Sequence, residues 1–299
     1  MMTFAQLGYW KVGGPMERFE AVDTLPRLCE LVAGEPRLFV LGNGSNLLVS
    51  DAGLTGTTIR LGGAFRTAEA TTLAGAVELH VGAGMPNAVL LNRYLGKLAG
   101  LAPLVGVPGT VGGAVAMNAG TALGELGDVL IAVSGVDRDG RTARIERADL
   151  PMAYREGGLP AGFVVTSAIL RLTAEGAEAE LQNAQEHLRR RKATQPLDLP
   201  SCGSVFRNPP PDGQGLRRAA GQLIEAAGLK GWRHGGARIS EKHANFIVNG
   251  GDATANDVMM CIRGAYTAVY ESSGVRLTPE VHVVGDWDKN LWPLPSFQE

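Results

Sequence analysis

The chain has 299 residues, 45% of them hydrophobic and 19% charged, with a formal net charge of −2. That length and apolar content suffice for a large core shared among two or three domains, while the near-neutral balance excludes the basic footprint of a nucleic-acid binder. Cys29, Cys202 and Cys261 lie far apart with no CxxC spacing, so neither a disulfide framework nor a metal site is expected, and a reducing cytoplasm is the natural compartment.

In chain order, MMTFAQLGYWKVGG lacks the basic region and long apolar core of a signal peptide. TLPRLCELVA reads as a helix, RLFVLG as a short strand, and GNGSNLLVSD as the loop and strand that follow. VELHVGAG reads as a strand and MPNAVLLNRYLGKLAG as an amphipathic helix with Pro86 near its first turn. DVLIAVSGVD, RTARIER and FVVTSAILRL read as strands, the first two joined by a turn at Asp139-Gly140. From about residue 178 the texture changes: the helix AELQNAQEHLRRRKATQ leads into a proline-flanked segment. Helix LRRAAGQLIEAAG, strand HANFIVN, helix TANDVMMCIRGAYTAVYESSG and strand VRLTPEVHVVG follow. Thr254 and Asp257 are spaced as a capping box for the last helix.

Between the two halves lies VGVPGTVGGAVAMNAG, part of a stretch without charge from Leu98 to Gly124. It is long enough to cross a bilayer, but its glycines and its prolines at 103 and 108 oppose a lone lipid-exposed helix. No membrane association is expected. Bare backbone of this kind admits close approach of a phosphate or a flavin ring, with free N–H groups as donors; a tight crossing of buried loops explains the composition equally well. A Rossmann fingerprint fails. VGAGMPN places Asn87 where the third glycine belongs, and no acidic residue follows until Glu125. LGNGSNLLV has Leu47 at that position.

Six ordered blocks carry a resemblance: LGNGSNLLVSD (41–51), VPGTVGGAVAMNAG (107–120), Tyr154-Arg155, CGSVFRNP (202–209), GLKGWRHGGARISEKHANFIVN (228–249) and LTPEV (277–281). Together they resemble the UDP-N-acetylenolpyruvoylglucosamine reductase family, and their spacing resembles its shorter variety. The resemblance implies an α+β protein: a two-lobed FAD-binding domain of the vanillyl-alcohol-oxidase (PCMH) type over 1–175, with lobes at about 1–62 and 63–175, then an α+β substrate-binding domain over 176–299. It implies a cytoplasmic oxidoreductase of peptidoglycan synthesis, hence of cell-wall biogenesis, cell shape and division, with noncovalent FAD and NADPH as hydride donor. The expected partner is a small nucleotide-sugar substrate, with no nucleic acid and no obligate protein partner.

By resemblance, Arg155 contacts the substrate carboxylate, where its fork of donors suits a planar two-oxygen group. Glu280 assists from the other side as a protonated or proton-sharing acid, and Ser204 donates the proton. FAD is held by Gly42, Asn43, Gly44, Ser45, Asn46 and Leu47 in the first loop. Gly106, Pro108, Gly109, Thr110, Gly113, Asn118 and Gly120 hold it in the second. Lys192, Arg207 and Asn208 are expected at the uridine diphosphate end, and Tyr154 near the sugar. Residue type alone would leave Arg155 a structural ion-pair residue, Glu280 a solvated strand end and Ser204 a turn serine; position in matching blocks gives them roles. Cys202 is a tempting nucleophile, but the chemistry needs no covalent intermediate. Ala102, Ala122-Leu123 and Gly157 depart from the family's pattern, which commonly has a glutamate, an aromatic residue and a serine there. Two rivals remain open: a flavin oxidase or dehydrogenase of the same fold acting on another substrate, and a noncatalytic nucleotide-binding protein.

Overall fold

A buried centre and a solvated edge organise the five-stranded antiparallel sheet at the heart of the sequence's middle section. Its order is Thr142–Glu146, Leu130–Val136, Val164–Leu172, Ala76–Gly82, Ala68–Leu73. Leu79, Val81, Val133, Ala168 and Leu170 are fully buried, each large aliphatic contributing about 1.5–3 kcal/mol. The edge strand Thr142–Glu146 alternates exposed and half-buried residues, as an edge facing water should. Helix Val111–Ala116 packs on the central strand Val164–Leu172, burying Val111 and Val115.

The computed structural model describes residues 1–73, 75–211, 213 and 215–295. The chain divides into two compact units, named here for their place in the sequence: a central unit of Arg18–Asn43 with Gly56–Arg191, and a terminal unit of Met1–Glu17, Gly44–Thr55 and Lys192–Glu299. The contiguous division expected at about 62/63 and 175/176 follows the family resemblance, whereas these units follow contact in space. Besides the large sheet, a three-stranded sheet runs Met16–Val22, Leu54–Leu61, Leu38–Val40.

The terminal unit is built around helix Ala255–Ser273, whose Ala255, Val258, Met259, Ile262, Tyr266 and Val269 form its buried stripe. The expected capping box forms: the Thr254 hydroxyl accepts from the Asp257 N–H at 3.1 Å, and Asp257 accepts from the Thr254 N–H at 2.9 Å. Asp51 adds a second cap, its carboxylate accepting from the Ala255 and Asn256 N–H groups at 2.9 Å each. The helix packs on the antiparallel sheet Arg233–His234, Ala237–Ile239, Ile247–Asn249. Strand Leu47–Val49 pairs in parallel with His282–Val284.

Several expected elements are shorter than the sequence suggests. The helix expected to run to residue 100 spans Asn87–Tyr94, because Leu95 turns extended and Gly96 is left-handed at φ +82°. The strand expected over 275–285 is reduced to His282–Val284, its earlier residues making only isolated bridges. Helix Ala220–Ala226 and strand Ile247–Asn249 lie inside longer expected spans.

Candidate functional site

In the central unit the start of the first loop and the second loop line one cleft, open to solvent. Gly42, Asn43, Thr110 and Gly113, all expected, line it. A Cβ on Gly42 would approach the Thr110 hydroxyl to 3.2 Å, so the two loops meet over bare backbone. Leu159, Phe163 and Val165 supply an apolar wall, and Arg60 and Arg66 supply positive charge. An apolar wall for a ring, bare backbone for close approach and cations for an anion together fit FAD.

The second loop is held by the segment that sequence reading weighed as a Rossmann motif. The Val111 N–H donates to the Met85 carbonyl at 2.9 Å and the Gly112 N–H to the Ala83 carbonyl at 2.8 Å. The Asn87 N–H donates to the Gly109 carbonyl at 3.0 Å. Thr110 caps the helix, its side chain accepting from the Gly113 N–H at 3.4 Å. The N–H groups of Val111, Gly112 and Gly113 are therefore engaged within the protein. The glycines here serve close backbone crossing: a Cβ on Gly112 would lie 2.8 Å from the Ala83 methyl. Gly106 and Gly109 take φ +74° and +127°, which only glycine adopts freely. The Arg191 guanidinium donates to the Gly106 carbonyl, and Glu180 of the same helix, Ala177–Thr194, accepts from the N–H groups of Gly100, Leu101 and Ala102 at 2.7–3.0 Å.

Asn118 is left-handed at φ +40° and buried. Its amide donates to Glu125 at 2.7 Å and to the Ala153 carbonyl at 3.0 Å, while its oxygen accepts from the Gly127 N–H at 2.9 Å. Its side chain thus ties the end of the second loop to the turn bearing Tyr154 and Arg155. Gly120 sits in the tight pair Gly120–Thr121 with Gly124–Glu125. Pro108 carries no geometry that assigns it to the cleft.

Tyr154 and Arg155 form the tip of a two-residue turn, with reciprocal bonds of 2.9 Å between Ala153 and Glu156. Arg155 is left-handed at φ +61°, a conformation that costs a residue with a side chain on the order of 1 kcal/mol and persists where the surroundings fix it. Its guanidinium carbon lies 4.7 Å from the centroid of the exposed Tyr154 ring. The Gly157 N–H donates to the Ala116 carbonyl at 3.0 Å, and a Cβ there would lie 2.2 Å from the Val115 oxygen. A serine at this position has no room.

The terminal unit brings Ser204 and Glu280 onto neighbouring segments. The Glu280 N–H donates to the Val205 carbonyl at 2.7 Å and the Arg207 N–H to the Thr278 carbonyl at 2.9 Å. Ser204 bridges to Phe246 on its other side. The remainder of the first loop joins them: the Asn46 amide donates to the Glu280 carbonyl at 3.0 Å, and the His282 N–H to the Asn46 carbonyl at 3.1 Å. Gly44 is left-handed at φ +64°, and Leu47 opens the strand paired with His282–Val284; Ser45 lies between them. His282, unmarked by sequence reading, has its pKa lowered by burial and by the Arg207 charge. Asn208 is exposed, its carbonyl oxygen accepting from the Ala220 N–H at 3.0 Å. Lys192 is exposed and its backbone carbonyl accepts from the Lys242 ammonium at 2.7 Å. Burial pushes the Cys202 thiol up to about 12.

Comparison with known proteins accords with this geometry. The family model described as FAD binding domain matches residues 22–146, and that of the UDP-N-acetylenolpyruvoylglucosamine reductase C-terminal domain matches 195–284. The reductase of Alkalilimnicola ehrlichii is 43% identical, over 93% of this chain and 91% of its own; that of Methylococcus capsulatus is 42% identical, over 93% and 90%. The crystal structure of the Thermus caldophilus reductase superposes with a TM-score of 0.80 at 40% identity, covering 94% of this chain and 97% of that one. The cleft flanked by two glycine loops, the paired Ser204 and Glu280 segments and these likenesses along nearly the whole chain lead to one conclusion: the chain belongs to the UDP-N-acetylenolpyruvoylglucosamine reductase family.

Proposed function

We propose that the chain is an FAD-dependent oxidoreductase that uses NADPH to reduce the enolpyruvyl group of UDP-N-acetylglucosamine enolpyruvate, giving UDP-N-acetylmuramate for peptidoglycan synthesis. We place the reaction in the cytoplasm, without an obligate protein partner; among the described residues no helix is long and apolar enough to cross a membrane. The functional division proposed is an FAD-binding part over 1–175 and a substrate-binding part over 176–299.

Bound FAD supplies a hydride, taken from NADPH, to the terminal enolpyruvyl carbon. The substrate's carbon next to the carboxylate then carries enolate charge and must gain a proton. Arg155 is assigned to the carboxylate oxygens on which that charge spreads, where a preorganised cation contributes most as charge develops. Glu280 shares a proton with the same group, and Ser204 delivers the proton to carbon. The observation that carries this reading is the pairing of the Ser204 and Glu280 segments, with Asn46 of the first loop bonded to the Glu280 carbonyl. Tyr154, Lys192, Arg207 and Asn208 are assigned to the nucleotide-sugar remainder of the substrate.

The test separates the two halves of the cycle. Bleaching of the flavin by NADPH requires no substrate protonation, so Ser204→Ala should bleach at nearly the wild-type rate in anaerobic stopped flow. Reoxidation by the enolpyruvyl substrate should slow by at least about a hundredfold, within the usual range for a positioned acid. Equal slowing of both halves, or of neither, overturns the assignment of Ser204.

A further inference from the structure

The cleft of the central unit holds two positive charges that the glycine loops do not account for. Arg60 closes toward it from strand Leu54–Leu61, half-buried, its Nε donating to the Gly42 carbonyl at 3.1 Å. Arg66 ends the short turn Gly63–Arg66 and lines the same cleft from an exposed position. Among the described residues no carboxylate forms an ion pair with either guanidinium. Burial and the neighbouring Arg66 charge both depress the Arg60 pKa, as two like charges without a counterion should. Meanwhile the N–H groups at the start of helix Val111–Ala116 are spent on Met85, Ala83 and Thr110. An anion in this cleft therefore gains little from that helix start, and the two guanidinium groups are the charge that can compensate it.

We propose that Arg60 and Arg66 form a paired cationic site for the diphosphate of FAD, Arg60 also fixing the Gly42 end of the first loop. The diphosphate brings two negative charges to two guanidinium groups, and the planar fork of arginine suits phosphate oxygens. With its Nε committed to Gly42, Arg60 keeps its terminal nitrogens for the ligand. The phosphate on the ribose of NADPH has the same chemistry. The Arg60 bond to the first flavin loop favours the resident cofactor over the transient one. The inference rests on FAD as that cofactor, which acid release of flavin from the wild-type protein tests independently.

The experiment follows FAD leaving the full-length holoprotein on dilution, by the rise in free-flavin fluorescence, at low and high salt. Arg66→Gln should weaken FAD binding by about tenfold to a hundredfold at low salt, the scale of a charged hydrogen bond, and by less at high salt, where exposed charges are screened. Arg66→Lys, which keeps the charge without the fork, should lose less than Arg66→Gln. Arg60→Gln should lose more than Arg66→Gln, because the Gly42 contact goes as well; Arg60→Lys separates the two effects by keeping charge without the fork. Unchanged FAD affinity in Arg66→Gln overturns the proposal, as does a loss indifferent to salt. Unchanged FAD affinity with a raised NADPH KM would reassign the pair to the phosphate of the hydride donor.

Discussion

Cys202 stands two residues before Ser204 and is the softer nucleophile, yet its surroundings remove that option. Its sulfur faces the Gly44 and Leu47 carbonyl oxygens at 3.7 and 3.6 Å, and burial pushes the thiol up to about 12, so it stays protonated at pH 8. In the native protein at that pH iodoacetamide should modify half-buried Cys29 well before Cys202 or buried Cys261, whereas all three should react in denaturant; peptide mapping reads the order. Labelling of native Cys202 as fast as Cys29 would show an open pocket in its place. At this scale the sequence named Ser204 and Glu280 only through matching blocks, and the structure sets their segments side by side. It was silent on Arg60 and Arg66, whose meaning depends on a cleft wall assembled from distant segments; an arginine inside the otherwise uncharged strand Leu54–Leu61 was the available signal.

Elements carry the next level of constraint. The turn bearing Arg155 is moored on both flanks, by Asn118 to the Ala153 carbonyl and by the Gly157 N–H to the last turn of helix Val111–Ala116. Gly157→Ala should force that helix end and the turn apart, since the new methyl would sit against the Val115 and Ala116 oxygens. The expected cost is about 1–3 kcal/mol, read as a lowered denaturation midpoint, with turnover falling at least about tenfold as Arg155 shifts. A variant of unchanged stability and turnover would mean that the backbone there yields freely. Long periodic elements were legible: Leu25–Gly34, Ala177–Thr194 and Ala255–Ser273 lie close to their expected bounds. Strands Met16–Val22 and Leu54–Leu61 went unread, one because charges interrupt its alternation and the other because glycine and threonines dilute it. Their identity comes from pairing, which no local pattern records.

At the scale of the molecule the described residues form two hydrophobic cores, one per unit. The discontinuous make-up of the units was not legible because long-range bonds hold it, such as the Trp10 indole donating to the Ile247 carbonyl at 2.6 Å across 237 positions. A cofactor that binds only the folded state must stabilise it: free FAD at a hundredfold excess over its Kd adds about 2.7 kcal/mol. Thermal unfolding of flavin-stripped protein should therefore shift upward by roughly 5 °C when FAD is restored, and by less in Arg66→Gln at the same FAD concentration. An identical shift in wild type and variant would separate the arginine from cofactor affinity.

The parallel pairing of Leu47–Val49 with His282–Val284 also sets a timetable for synthesis. Residues 44–49 emerge early from the ribosome, but the strand that aligns them, and the Glu280 carbonyl that receives the Asn46 amide, are made near the end. The central unit is complete in sequence by Arg191 and can close its own core while translation continues. A growing chain thus holds the Gly42 half of its first loop ready and the Asn46 half unaligned. Only a chain translated almost to completion aligns the Asn46 half.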